Sequence, residues 1–378
     1  MRVISLSAAD FRNLREIEMQ PSESLNLIFG NNAQGKTNLL EAIWCCTGCR
    51  SFRGSKERDY IHLKSPAMHL KLRFADSKRE QEIQFHLARG EGKQKKLMLN
   101  GVPLKGGSGL FSRFQCVIFS PDDRELIRGN PEKRRGFMDL CGSQLTPKML
   151  GCLRQFDQLT AQRNAMLKQI QFGTASRADL SLWDMQLAAY GSMLTCLRYA
   201  YVNKLAAVCE RLYAGITGGA EQLHVKYRSN IFQNSEIPEN PTKEMQHYYF
   251  EQLQKSAEDD IRLGFTAKGA GRDDFSCKIG GLSVREFGSQ GQQKSTALVM
   301  KLAQASVFYE TKEETPVILL DDVMGELDAK RQKLVYEIIQ DMQIFLTTCQ
   351  PESIGQEQAG SGRVFYMENG ALTQGTGA

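Results

Sequence analysis

Apolar and polar positions change their period along the chain, and the changes mark its regions. Residues 1–30 alternate, through Val3-Ile4-Ser5-Leu6 and then Leu25-Asn26-Leu27-Ile28-Phe29, which predicts strands. Gly30 to Thr37 reads as a loop, and Asn38-Leu39-Leu40-Glu41-Ala42-Ile43 starts a helix. Between 68 and 104 the alternation returns, with Leu70, Leu72 and Phe74, then Ile83, Phe85 and Leu87. Leu97-Met98-Leu99 runs into Asn100-Gly101, a hairpin signal. Cys116-Val117-Ile118-Phe119 is a short apolar strand that stops at Ser120-Pro121-Asp122.

The texture then becomes helical. Leu180, Trp183, Leu187, Tyr190, Leu194, Leu197, Tyr201, Leu205, Val208 and Leu212 recur at intervals of 3 or 4, which predicts one helix with a single apolar seam. Leu153, Phe156, Leu159, Leu167 and Ile170 form a less regular helix, and Gly173 to Asp179 can turn between the two. A buried bundle and a projecting coiled coil both fit this hairpin. Helices of roughly 30 residues would reach only about 45 Å. Residues 229–247 read as a loop or a disordered insertion, and strand-like texture resumes after about 260. The expected organisation is an α/β head at 1–120 and 261–378, split by a helical arm at 121–260.

Composition narrows the class. The chain has 378 residues, 41% hydrophobic and 24% charged, which suits a globular protein. No apolar run approaches the ~20 residues of a membrane span, and no secretory leader opens the chain, so a cytoplasmic protein is expected. The ten cysteines include one C-x-x-C, Cys46 and Cys49, without a second pair to complete a zinc site. They read as small apolar residues in a reducing compartment. A net charge of +5 is compatible with nucleic acid and does not demand it.

Three motifs carry chemistry. Gly30-Asn31-Asn32-Ala33-Gln34-Gly35-Lys36-Thr37 matches G-x-x-x-x-G-K-[ST] between a strand and a helix. Its glycines let backbone N–H groups turn around phosphates. Lys36 would reach the β/γ-phosphates of ATP, and Thr37 would ligand Mg²⁺. Asn38 completes the candidate cradle at the start of the helix. Val317-Ile318-Leu319-Leu320-Asp321-Asp322 is a buried-strand pattern ending in two acids, where α/β sheets place ligands. Asp321 is the candidate for holding Mg²⁺, and Asp322 for orienting or deprotonating the attacking water. Ser289-Gln290-Gly291-Gln292-Gln293-Lys294 precedes a helix; Ser289, Gly291 and Gln292 are candidate phosphate ligands there, and a plain N-cap is the competing reading. The order of the three motifs is that of an ABC-type ATPase, whose nucleotide is closed between two copies of the protein.

These pieces together resemble the RecF family of ABC/SMC-like ATPases. The resemblance runs through Phe11-Arg12-Asn13, the P-loop, Arg50-Ser51-Phe52-Arg53, Phe119-Ser120-Pro121-Asp122-Asp123, Pro131 with Arg134-Arg135, Gln162-Arg163-Asn164, Trp183-Asp184 and Arg272-Asp273-Asp274 to the closing Leu320-Asp321-Asp322. It implies an ATP-dependent homodimer that binds gapped DNA or single/double-strand junctions and works with RecR and RecO to help RecA displace single-strand-binding protein. It also implies that Ser289 and Gly291 meet the γ-phosphate held by the other protomer, and that Gly325-Glu326-Leu327-Asp328 is the D-loop. The chain departs from the family at Ala270-Gly271, where Pro-His is usual, and at Gly325, where Ser is usual. No switch His follows Ile344-Phe345-Leu346; Thr347, Thr348 and Cys349 stand there, and Asp322 replaces the usual Glu of transporter engines. Slow, DNA-stimulated hydrolysis is the expectation. No Q-loop glutamine is assigned; the Ser120-Pro121 region is where one is expected.

Lys93, Lys95 and Lys96, with Arg134 and Arg135, are candidate DNA contacts. A solvated charge run and an internal brace are the competing readings. Other function classes remain in view: a nucleotide-gated scaffold that recruits repair partners with little DNA contact, or another ABC-type head. A structural-maintenance or zinc-hook ATPase would need a far longer coiled coil than this arm.

Overall fold

The computed structural model describes residues 1–90, 95–233, 236–349 and 362–375. Two compact units emerge, Met1–Asp123 with Leu298–Ala378, and Arg124–Ala297.

The first unit opens with β1 (Arg2–Phe11), β2 (Leu14–Met19) and β3 (Leu25–Phe29), then α1 (Lys36–Cys45). β4 (Ala67–Ala75), β5 (Glu80–Ala88), β6 (Lys95–Leu99), β7 (Val102–Pro103) and β8 (Cys116–Phe119) follow. An antiparallel sheet in the order β2-β1-β4-β5-β6-β7 buries one face. Met68, Leu70, Leu72 and Phe74 of β4 are buried while His69, Lys71 and Arg73 face out, the period-2 pattern that fixes register. Asn100 and Gly101 have φ of 51° and 77°, the left-handed pair that a two-residue hairpin turn requires.

The second unit carries α2 (Glu125–Arg128), α3 (Pro131–Leu145), α4 (Pro147–Gln171), α5 (Leu180–Thr217), β9 (Leu223–Arg228) and α6 (Lys243–Leu263). It continues through β10 (Asp274–Ile279), β11 (Leu282–Ser283) and α7 (Val284–Phe287) to the start of α8 (Gln290–Lys312). The chain then returns to the first unit for β12 (Val317–Asp321), α9 (Ala329–Ile339), β13 (Ile344–Thr348), β14 (Arg363–Glu368) and β15 (Ala371–Gln374).

These strands complete the first unit's second sheet, ordered β15-β14-β3-β13-β12-β8. Only β15 runs antiparallel to its neighbour. Every residue of β8, β12 and β13 is buried, which is why 116–119, 317–320 and 344–346 read as apolar runs. Asn26 interrupts β3 because its side chain accepts from Ser22 N and donates to Ser22 O and Ile344 O. Gln343, also buried, accepts from Val3 N and donates to Val3 O and Ser22 O, tying β1 to the entry of β3. α1 packs against β1, β12 and β13, strands of both sheets.

The helical hairpin expected from the seam is present as α4 and α5, but α6 packs on both, so three helices share one core. Leu180, Leu187, Leu194, Tyr201, Leu205 and Val208 are buried, whereas Tyr190 is exposed. At the far end, Arg163 of α4 is fully buried between Asp184 of α5 and Asp260 of α6, at 2.5 and 2.7 Å. Gln254 donates to Asp184, and Ala267 N and Ser256 donate to Asp260, so both carboxylates are satisfied. Burial pushes Asp184 above the usual carboxylate range, against the opposing pull of Arg163.

The expected boundary at 260 does not divide compact units; the second runs to Ala297. β10 pairs with β9 along its whole length, so 261–297 folds with the helices. Asp273 locks that pairing. It accepts from Tyr227, Thr195 and Asn230 N, and Arg198 lies 3.8 Å away. Arg134 clasps Asp274 through two bonds of 2.7 and 2.9 Å.

Arg163→Met would leave Asp184 and Asp260 buried without their counter-charge. A loss of about 3–5 kcal/mol is expected, read as a lower urea midpoint by circular dichroism.

Candidate functional site

The parallel strands end where the motifs meet. β3 delivers the loop Gly30–Gly35, β12 delivers Asp321, and β13 lies between them. Gly30 has no alternative: a Cβ there would stand 2.3 Å from Met367 O. Gly35 has φ of 121°, and its Cβ would meet Asn13 Oδ1 at 2.9 Å. α1 starts on Gly35 without a side-chain cap, so its first-turn N–H groups face the loop, as anion binding requires.

Lys36 is almost buried. Its Nζ donates to Gly30 O at 2.7 Å, Asn31 O at 2.9 Å and Cys349 Sγ at 3.1 Å. Cys349 in turn donates to Asn32 Oδ1. Thr37 Oγ1 donates to Asp321 Oδ1 at 2.8 Å, and Thr347 Oγ1 lies 3.0 Å from the same oxygen. Burial raises Asp321 above the ordinary carboxylate range, against these two hydroxyls. Asp322, next in the chain, is exposed and has φ of 54°. Asn38 donates to Asn13 and accepts from Arg53, both at 2.6 Å. Ala33 takes φ of 64° in the loop, and Gln34 Oε1 accepts from Asn369 N.

Beside α1, Glu41 is fully buried and takes Arg12 and Arg53 as partners, with Ser51 donating as well. Burial alone would raise Glu41; the bonds from Arg12, Ser51 and Arg53 outweigh it and hold the carboxyl below its usual value. A cleft of about 650 Å³ opens here, lined by Arg12, Asn13, Asn38, Arg53, His62 and Arg89 among others. Its charge is cationic, with Arg12, Arg53, Arg58 and Arg89 against Asp59.

Mg²⁺ fits this donor set. Thr37 and Asp321 supply hard oxygens at hydrogen-bond distance from one another, and no group of three or more His, Cys, Asp or Glu able to hold a metal occurs among the described residues. A cation here would complete its shell with phosphate and water oxygens, the usual habit of Mg²⁺.

The remaining candidates fall elsewhere. Ser289, Gly291 and Gln292 belong to the second unit. Ser289 Oγ accepts from Gln292 N, and Gln292 Oε1 accepts from Ser289 N, a reciprocal capping box on α8. Gln292 also donates to Glu221 at 2.8 Å, so its side chain is committed internally. In the candidate D-loop, Asp328 caps α9 through Arg331 N, and nothing lies within 4 Å of a Cβ built on Gly325. Gly271 likewise has room, with Phe156 as its nearest neighbour at 3.8 Å. The Ser120 turn closes on Asp123, whose nearest cation is Lys301 at 3.9 Å.

Of the candidate DNA contacts, Lys93 lies outside the described residues. Lys95 bonds Glu57 and sits over the Phe85 ring, and Lys96 is exposed on β6. Arg134 is buried on Asp274, and Arg135 donates to Asp273 O; both brace the second unit, and Arg134 cannot reach a phosphate. Sequence reasoning missed Thr347, Glu41 and Cys349 as parts of the site. Their signals are a hydroxyl pair closing an apolar strand and a lone acid inside a helix, too common to single out.

Strand order, phosphate loop and paired acids define a P-loop nucleotide-binding head of the ABC type. The family model for the RecF/RecN/SMC N terminal domain matches residues 2–373. The DNA replication and repair protein RecF of Lachnoclostridium phytofermentans is 34% identical over 99% of this chain and 100% of its own length. That of Desulforamulus reducens is 36% identical over 99% of both. A solved recombination mediator protein RecF, studied with ATP in the RecFOR pathway, superposes with a TM-score of 0.91 at 30% identity, covering 99% of this chain and 97% of that one. The chain belongs to the RecF family. No helix among its described residues is long and apolar enough to cross a membrane.

All ten cysteines are free, nine of them buried, and Cys349 alone is partly exposed. N-ethylmaleimide should therefore alkylate Cys349 first, and saturating ATP should slow that labelling by engaging Lys36. Equal labelling with and without ATP, followed by peptide mass mapping, would separate Cys349 from the nucleotide.

Proposed function

We propose that the chain is an ATP-dependent DNA-binding recombination mediator, which dimerises around ATP, binds gapped or junction DNA in the cytoplasm, and helps load RecA together with RecO and RecR. The observation that carries the nucleotide part is the assembly of Lys36, Thr37 and Asp321 at one sheet end. The DNA and partner parts rest on kinship with RecF.

In this reading Lys36 exchanges the carbonyls of Gly30 and Asn31 for phosphate oxygens. The uncapped start of α1 and the glycine loop supply N–H donors from Gly30 to Asn38. Thr37 and Asp321 hold Mg²⁺, which neutralises phosphate charge when bound. Asp322, carried outward by its backbone, orients the attacking water and takes its proton. Arg12 and Arg53 add positive charge beside the cradle. Ser289 and Gly291 complete the nucleotide site of a second copy. With Asp322 as the acid and no switch His, hydrolysis is slow, and DNA raises it.

The scaffold reading keeps one observation in its favour: Arg134 and Lys95, two of the candidate DNA cations, are engaged within the chain. Binding to gapped DNA with and without ATP, across a salt series, separates the two. A steep loss with salt is expected of a DNA mediator; absent or salt-indifferent binding favours the scaffold.

Sedimentation with ATP, ADP or neither tests the architecture. Dimers should form with ATP. Lys36→Met should weaken ATP binding roughly 100-fold, as loss of charge-assisted phosphate contacts implies. Ser289→Arg should bind ATP normally yet stay undimerised; ATP-dependent dimers of this variant would exclude a shared site.

A further inference from the structure

Thr347 is buried in the central strand β13, in register beside Asp321 of β12 on one side and Ile28 of β3 on the other. Its hydroxyl makes two contacts on neighbouring acids. It accepts from the backbone N of Asp322 at 3.1 Å, and it lies 3.0 Å from Asp321 Oδ1, with Leu320 O at 3.3 Å as the weaker acceptor. A hydroxyl has one proton, and a carboxylate is the stronger acceptor, so that proton goes to Asp321.

The backbone it holds is strained. Asp322 has φ of 54°, a left-handed conformation that non-glycine residues seldom take. This turn leaves Asp321 buried and Asp322 exposed, although the two are adjacent in the chain. The Asp322 N–H has Thr347 as its acceptor there, because β12 ends at Asp321 and the strand ladder ends with it.

We propose that Thr347 is a positioning residue for ATP hydrolysis, whose single hydroxyl sets the orientation of Asp321 and holds the left-handed turn that aims Asp322. The proposal rests on the ATPase reading above. Thr347 touches neither the phosphate loop lysine nor the cleft beside α1, so it acts on the acids and leaves nucleotide affinity to Lys36 and the loop.

Three substitutions separate hydroxyl from bulk: Thr347→Val keeps the shape without the hydroxyl, Thr347→Ser keeps the hydroxyl without the methyl, and Thr347→Ala keeps neither. ATP affinity, steady-state turnover and thermal melting are measured for each in the full chain, with Asp322→Asn as a control. Thr347→Val and Thr347→Ala should bind ATP within about twofold of the parent and lose roughly tenfold in kcat, the scale of one lost hydrogen bond to the reacting groups. Thr347→Ser should restore most of that loss. Parent-like kcat in the valine variant, equal losses in valine and serine, or losses that follow side-chain size or melting would overturn the proposal. Should the serine variant fold where valine and alanine do not, its kcat decides: a value well below the parent overturns the proposal, and a parent-like value upholds it. If Asp322→Asn turns over ATP like the parent, the ATPase reading of Asp322 fails, whatever Thr347 does.

Discussion

The site depends on burying one carboxylate at the end of a buried parallel strand. Asp321 closes a run of apolar residues that has no solvent on either face, and a charge there is tolerated only if hydrogen bonds replace its water. Two hydroxyls do so, Thr37 from α1 and Thr347 from β13. Both converge on one oxygen, Oδ1. The same two bonds bring α1, β12 and β13 together at a single oxygen. The raised proton affinity of Asp321 records the part of the burial cost that the two hydroxyls do not offset.

The second unit solves a related problem with full charges. Arg163, Asp184 and Asp260 tie three helices through one guanidinium, and Asp139 and Asp273 gather round Arg198. Buried pairs add little net stability over apolar packing but penalise every arrangement that parts them. That suits a helical unit whose seam alone leaves two packings open. The third helix enters because Asp260, at its end, is the partner that Arg163 still needs after meeting Asp184. The Arg272-Asp273-Asp274 stretch belongs to the same scheme: its acids hold β10 to β9 and to α3.

What was legible in the sequence divides by distance along the chain. The phosphate loop reads directly, because its glycines, lysine and threonine act within eight positions on a strand–loop–helix frame. β12 and the Asn100 hairpin read for the same reason, since an unbroken apolar run and a left-handed residue pair are local demands. Thr347, Glu41 and Arg163 did not read as they stand. Each is an ordinary residue until its partner arrives, and the partners are Asp321, Arg12 with Arg53, and Asp184 with Asp260. The boundary at 260 misplaced the signature segment for a like reason: the pairing of β10 with β9 is non-local, and nothing in the segment's own composition announces it.

The hexapeptide at Ser289 shows how two readings of one residue can be compatible. In the structure it is an N-cap, with Ser289 and Gln292 satisfying one another's backbone N–H groups. A cap uses a serine lone pair as acceptor and leaves the hydroxyl proton to donate. A phosphate oxygen accepts and does not donate, so the capping bond to Ser289 Oγ does not compete with a phosphate for the hydroxyl proton. Gln292 is in turn fixed by Glu221, which makes the capping geometry rigid before any ligand arrives. A preorganised donor at the positive end of a long helix is what a shared phosphate site needs from the copy that does not hold the nucleotide. The cap is thus the means by which the ligand reading would work.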